Sequence, residues 1–175
     1  VSMVGSEAHN EVRFEPNNNG RFVRTVLARV NASAQPSAQI SDLNTHLDYA
    51  ASTVPQSLRD QSISDPRAIL WRADGQRAWI AGMGSNQLIT IDASGNRVGA
   101  PITVGQGPVA LALDESRSRL YAWNHFDASL SVIATTTNSE IQRVAVFNPL
   151  PQRIRDGDLW PKGFLPLPHP NHAEG

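Results

Sequence analysis

Residues 65–105, DPRAILWRADGQRAWIAGMGSNQLITIDASGNRVGAPITVG, are answered by residues 107–147, GPVALALDESRSRLYAWNHFDASLSVIATTTNSEIQRVAVF. A shift of 42 residues aligns the two without a gap: Pro66 falls on Pro108, Ala68 on Ala110, Arg77 on Arg119, Leu88 on Leu130, Ile91 on Ile133 and Val104 on Val146. Trp79 meets Tyr121 as a class match. Each unit divides into four short β-rich runs separated by turn residues. In the first unit the runs are Arg67–Trp71, Arg77–Ala81, Gln87–Asp92 and Arg97–Val104, punctuated by ADGQ, GMGSN and ASGN. In the second they are Val109–Leu113, Arg119–Asn124, Leu130–Ala134 and Ile141–Phe147. Gly75 and Gly95 supply the positive φ that tight hairpin turns demand. A helical reading fares worse, because Gly and Pro fall at the boundaries and the apolar runs are only about five residues long.

A fixed period of about 40 to 45 residues with four strands per unit is the signature of a propeller blade. A meander within a sandwich would not require an ungapped period. The expected fold is therefore all-β: a partial or oligomerisation-completed β-propeller built from four-stranded antiparallel blades. The two units also resemble the YVTN repeat of β-propeller proteins. The resemblance lies in the Gly-Pro or Asp-Pro start, the aromatic-centred second strand, the Ser/Asn-containing loop and the closing apolar run. Asn124 stands at the repeat's Asn position, where the first unit has Gly82, and Asp92 stands at the closing Asp position, where the second unit has Ala134. This resemblance covers about half the chain. It implies an exported, periplasmic or cell-surface setting, in a family that includes binding proteins, lactonase-like enzymes and propellers fused to haem domains.

The flanks are less regular. Residues 1–64 read as a degenerate N-terminal blade plus linker, residues 65–106 and 107–148 as the two YVTN-like blades, and residues 149–175 as a Pro-rich tail. EVRFEPNNNGRFVRTVLARV (11–30) reads as a hairpin around NNNG, with Phe22, Val26, Ala28 and Val30 on one face and Val23, Thr25, Leu27 and Arg29 on the other. NASAQPSAQIS (31–41) is small and polar and reads as a linker or exposed loop. The opening of the tail, NPLPQRIRDG, resembles the junction at which some YVTN propellers pass into a cytochrome-c or peroxidase-like haem domain. No cysteine exists in the chain, so covalent haem, disulfides and thiolate metal sites are excluded and no cofactor is expected.

Composition narrows the function classes. With 15 basic and 16 acidic side chains and the arginines scattered, the chain lacks a nucleic-acid footprint. No apolar run approaches the ~20 residues of a membrane span. VSMVGSEAHN has neither the basic region nor the apolar core of a signal peptide. Two clear blades and one degenerate blade cannot close a ring that needs about four to eight. A homo-oligomer is therefore expected, a dimer of three-blade wedges above all; the alternative is a fragment whose other blades lie on another chain.

Candidate binding residues gather where rim loops would lie. They are Asn86, Asn124, His125 and Asp127; His125 and Asp127 could share a metal ion or a proton, but they suit a solvated loop with an Asx turn better. His169 and His172 in HPNH are spaced for a weak metal site, which Pro170 disfavours by extending the backbone. Catalysis lacks an announced nucleophile, since no Gly-x-Ser-x-Gly occurs, and the glycine-rich GMGSN and GQGP suit blade turns better than phosphate loops. The expected function is a non-catalytic binding or scaffolding module for a protein or small-molecule ligand. The alternatives are a lactonase- or esterase-like hydrolase with its site in the channel or a subunit junction, and a remnant of a propeller–haem redox protein that docks an electron-transfer partner.

Overall fold

The computed structural model describes residues 1–8, 23–33, 35–48, 51 and 53–146. Three antiparallel sheets follow one another along the chain. The first contains β1 (Ser2–Ala8), β2 (Val23–Asn31) and β3 (Ser37–Asp42). A single helical turn, α1 (Gln56–Arg59), lies between it and the second sheet. That sheet is β4 (Pro66–Trp71), β5 (Arg77–Gly82), β6 (Gln87–Asp92) and β7 (Ile102–Thr103). The third is β8 (Pro108–Asp114), β9 (Arg119–Asn124), β10 (Ser129–Ala134) and β11 (Ser139–Ala145). Each is a simple up-and-down meander. The first strands of successive sheets, β1, β4 and β8, neighbour one another, so the sheets stack as blades around a common inner edge. This is an all-β partial propeller.

The repeat is visible in backbone detail. Both β4 and β8 begin with a proline, which has no N–H to give and so suits the start of an edge strand. Both carry an irregularity at the same step, Pro66/Ala68 and Pro108/Ala110, against their second strands. The residue before each proline is left-handed, Asp65 at φ 47° and Gly107 at φ 69°.

Alternation along the strands decides what each blade buries. One face of the second blade carries Ala78, Ile80, Ile89 and Ile91, which pack with Leu27, Leu43 and Ile63 of the preceding segment. The opposite face carries Trp79, Ala81, Leu88 and Ile102, which pack with Leu120, Ala122 and Ile133 of the third blade. The second blade is thus covered on both sides, and the indole of Trp79 is fully enclosed. Burying each such aliphatic or aromatic side chain contributes roughly 1.5–3 kcal/mol.

The sequence expectations meet several differences. The polar stretch 31–41, read as a linker, supplies β3, whose backbone pairs with β2 from Val26↔Asp42 to Asn31↔Ser37. Its side chains are mostly exposed, so no apolar alternation marks it. The fourth strand of the second blade is two residues long rather than spanning 97–104; Arg97 joins through an isolated bridge to Ile91. The NNNG turn, Phe22, the Pro-rich tail, and His169 and His172 lie outside the described residues.

Candidate binding rim

The turns joining second to third strands are four residues long in both regular blades, 83–86 and 125–128, and both close with a left-handed residue, Asn86 at φ 55° and Ala128 at φ 47°. These turns lie at the same end of the blades as the crossover Gly105–Gln106–Gly107, which carries the chain from the second blade into the third. All four residues expected at a rim gather around this crossover. Asn86 Oδ1 accepts the Gly107 N–H at 2.8 Å. The His125 N–H donates to the Gly107 carbonyl at 2.8 Å, and the Phe126 N–H donates to the Gln106 carbonyl at 3.0 Å. Asp127 Oδ2 accepts the Gln106 N–H at 2.9 Å.

Asn124 is fully buried beneath this clasp. Its Nδ2 donates to Ser129 Oγ at 2.9 Å and to Ser131 Oγ at 2.8 Å. Ser131 Oγ also accepts the Gly105 N–H at 3.2 Å, and Ser129 Oγ donates to Asp127 Oδ1 at 2.7 Å. The result is one polar network running Gly105–Ser131–Asn124–Ser129–Asp127–Gln106. Partial burial alone would raise the Asp127 pKa, but the hydrogen bonds from Ser129 and Gln106, aided by Arg143, bring it below the ordinary carboxylate value. Both Asp127 oxygens are occupied, Oδ2 by the Gln106 N–H and Oδ1 by the Ser129 hydroxyl, so its carboxylate fastens the loop.

What the rim presents outward is aromatic. Phe126 is 64 % exposed, and its ring lies 5.7 Å from that of His125 at an interplanar angle of 60°. The ring edge lies over Gly107, where a Cβ would collide with it. Phe126, Gln106, Ser129 and Ser131 were not singled out by sequence reasoning. An isolated Phe between His and Asp in NHFDAS was the available signal. The two serines gave none, since only the pairing of β9 with β10 sets them against Asn124.

At the opposite end of the same two blades, a cleft of about 230 Å³ is lined by Arg72, Arg77, Trp79, Leu113, Glu115 and Ser118, among others. Glu115 accepts the Ala73 N–H at 2.7 Å and bridges the blades there, while the Trp79 indole donates to Asn138 Oδ1 at 3.2 Å. Among the described residues, no group of three or more His, Cys, Asp or Glu side chains is arranged to hold a metal ion. None of the described helices is long and apolar enough to cross a membrane.

No family model and no curated protein matches the chain. Among solved structures it is similar to Kuenenia stuttgartiensis hydrazine synthase, with a TM-score of 0.61 at 14 % identity, over 77 % of this chain and 41 % of that one. The Pseudomonas aeruginosa periplasmic gluconolactonase PpgL gives a TM-score of 0.49 at 19 % identity, over 72 % of this chain and 35 % of that one. Citrobacter koseri AztD gives 0.44 at 17 %, over 74 % and 32 %. All three are β-propeller proteins. The first likeness carries the fold and nothing beyond it. The chain spans well under half the length of these structures.

Proposed function

We propose that the chain is a non-catalytic binding module of the YVTN-repeat type, working as a homodimer in a periplasmic, secreted or cell-surface setting. The observation that supports this reading is the division of labour at the rim. Asn86, Asn124 and Asp127 are consumed in fixing the crossover, and the exposed aromatic pair of His125 and Phe126 is held out by that scaffold. A general base needs an oriented partner and a reacting group within reach. The described geometry supplies His125 with neither. A rigid aromatic anchor ringed by polar groups instead fits contact with a protein surface. The exported setting rests on the YVTN-like residues of the two units.

The test has two arms. The purified chain is screened against a peptide array, and any peptide captured is titrated against the Phe126→Ala variant, for which at least a tenfold loss of affinity is expected, about 1.4 kcal/mol. The same preparation is assayed with p-nitrophenyl acetate and a sugar lactone, where turnover is expected to stay at the buffer rate. Turnover that survives purification and disappears in His125→Ala would overturn the reading in favour of a hydrolase.

A further inference from the structure

We infer that the cleft between the second and third blades, at the end opposite the rim, binds a free α-amino acid with a small apolar side chain. This cleft shares no residue with the aromatic pair of the rim. Alternation along β5 puts Arg77 on the same face as Trp79, the face turned to the third blade. Leu113, Glu115 and Ser118 of the third blade form the other wall.

The two walls carry opposite charges that do not meet. Among the described residues the Arg77 guanidinium has no ion-pair or hydrogen-bond partner. Its cross-strand neighbour Asp92 is spent on its own turn, accepting the Ser94 N–H and the Asn96 N–H, each at 2.9 Å. On the opposite wall Glu115 is held to the second blade through Oε1, which accepts the Ala73 N–H at 2.7 Å, and its Oε2 has no partner among the described residues. Arg72, the other cation of the cleft, is already paired with Asp74 at 3.3 Å. One cation and one anion are left over, held apart on facing walls.

A ligand that answers both must itself carry both charges. A carboxylate matches the planar guanidinium fork of Arg77, and an ammonium supplies donors to the free oxygen of Glu115. A free α-amino acid bears the two groups on one carbon, whereas a simple carboxylate or a simple amine leaves one wall charge unanswered. Between the charges the floor is apolar, with the buried Trp79 indole beside Leu113. The Ser118, Thr135 and Thr136 hydroxyls also line the cleft, and none has a partner among the described residues. A volume of about 230 Å³ is room for roughly seven or eight water-sized groups at ~30 Å³ each, the size of valine and not of a peptide. The frame is already fixed, since Trp79 Nε1 donates to Asn138 Oδ1 at 3.2 Å and the Glu115–Ala73 bond ties the two blades, so little ordering cost accompanies binding.

The test is a chemical-shift titration of the isotope-labelled chain, followed at the Ser118, Thr135 and Thr136 amides. The probes are L-valine, isovalerate, which lacks its ammonium, and isobutylamine, which lacks its carboxylate. L-valine is expected to move these amides with a Kd of about 1 mM or tighter, and each analogue to bind at least about tenfold more weakly. Arg77→Gln is expected to weaken L-valine about tenfold and to leave isobutylamine unchanged. Glu115→Gln, which keeps the acceptor for Ala73, is expected to weaken L-valine similarly and to leave isovalerate unchanged. A collapsed cleft would lose the analogues as well, so these splits report charge recognition and not folding. Amides that do not respond to L-valine would overturn the inference. So would isovalerate binding as tightly as L-valine, the mark of a general anion site, or a nominally unaffected analogue lost in parallel with L-valine in either variant. His125→Ala/Phe126→Ala is expected to leave the L-valine titration unchanged, so failure of the cleft and failure of the rim are read separately.

Discussion

At the scale of single residues, the two interblade junctions solve one packing problem in opposite ways. Ile63 and Gly105 are repeat equivalents, and so are Gly82 and Asn124. Where Ile63 fills the junction, position 82 must be glycine, since a Cβ there would run into the Ile63 side chain. Where Asn124 fills it, position 105 must be glycine, since a Cβ would meet the Asn124 amide and the Asp127 carboxylate. Gly105→Ala is expected to destabilise by about 1–3 kcal/mol through overpacking. Combining it with Asn124→Ala is expected to cost less than the sum of the two single changes, because the collision with the Asn124 amide is gone. Thermal denaturation of the four variants checks this, and strict additivity would refute the exchange. Ala128, held left-handed at φ 47°, is a converse case: Ala128→Gly is expected to raise stability by about 0.5 kcal/mol, strain relief outweighing the added chain entropy. Asn124 was legible as a position of interest but not as a buried one. Its burial depends on a small residue 19 positions upstream, and nothing local to WNHFDAS announces that.

At the scale of elements, the segment between β3 and β4 is pinned by a histidine. His46 Nδ1 faces Arg97 at 3.2 Å, and Arg97 can only donate, so the imidazole is neutral with its proton on Nε2, given to the Leu58 carbonyl at 3.1 Å. Burial first, and the Arg97 charge second, lower the His46 pKa, against raising contributions from the Leu58 contact and Asp42. For a group whose folded pKa is depressed, the stabilisation is complete above the unfolded value of about 6.5 and is lost as pH falls through the lower folded value. Amide protection across α1 and its flanks, corrected for intrinsic exchange rates, is therefore expected to fall between pH 7.5 and pH 5. The His46→Gln variant is expected to show a flat profile, and an equal fall in the variant would refute the pin. None of this was visible in HLD alone, since Arg97 stands 51 residues away. The first three strands of the two regular blades were legible to within a residue or so, because apolar alternation and turn residues coincide there, whereas the fourth strand of the second blade shrank to Ile102–Thr103. β3 was not, because the hydrogen bonds to β2 hold it rather than any buried face of its own.

At the scale of the whole molecule, the period alone carried the architecture, and the same period identifies a face of the third blade that no described segment covers. Leaving a face of roughly 400 Å² in water forgoes on the order of 10 kcal/mol at ~25 cal/mol per Å², comparable to the stability of an ordinary domain. If a second copy supplies that burial, folding is coupled to association, and the melting temperature rises with protein concentration. Calorimetry over a hundredfold concentration range is expected to show an upward drift of several degrees. A constant midpoint would mean that each wedge stands alone.

Among the described residues, the second blade is the one sheet of the three covered on both sides, with Ala78, Ile80, Ile89 and Ile91 against one neighbour and Trp79, Ala81 and Leu88 against the other. Among the described residues the principal inter-sheet contacts join adjacent sheets, so the molecule behaves as a short one-dimensional array in which each unit borrows stability from its neighbours. Such an array frays from its ends. Opening β1–β3 or β8–β11 breaks one boundary, whereas opening β4–β7 breaks two. The keystone of this protein is accordingly not its aromatic rim but its middle sheet, and β5 and β6 set the ceiling of kinetic protection against proteolysis for the whole chain.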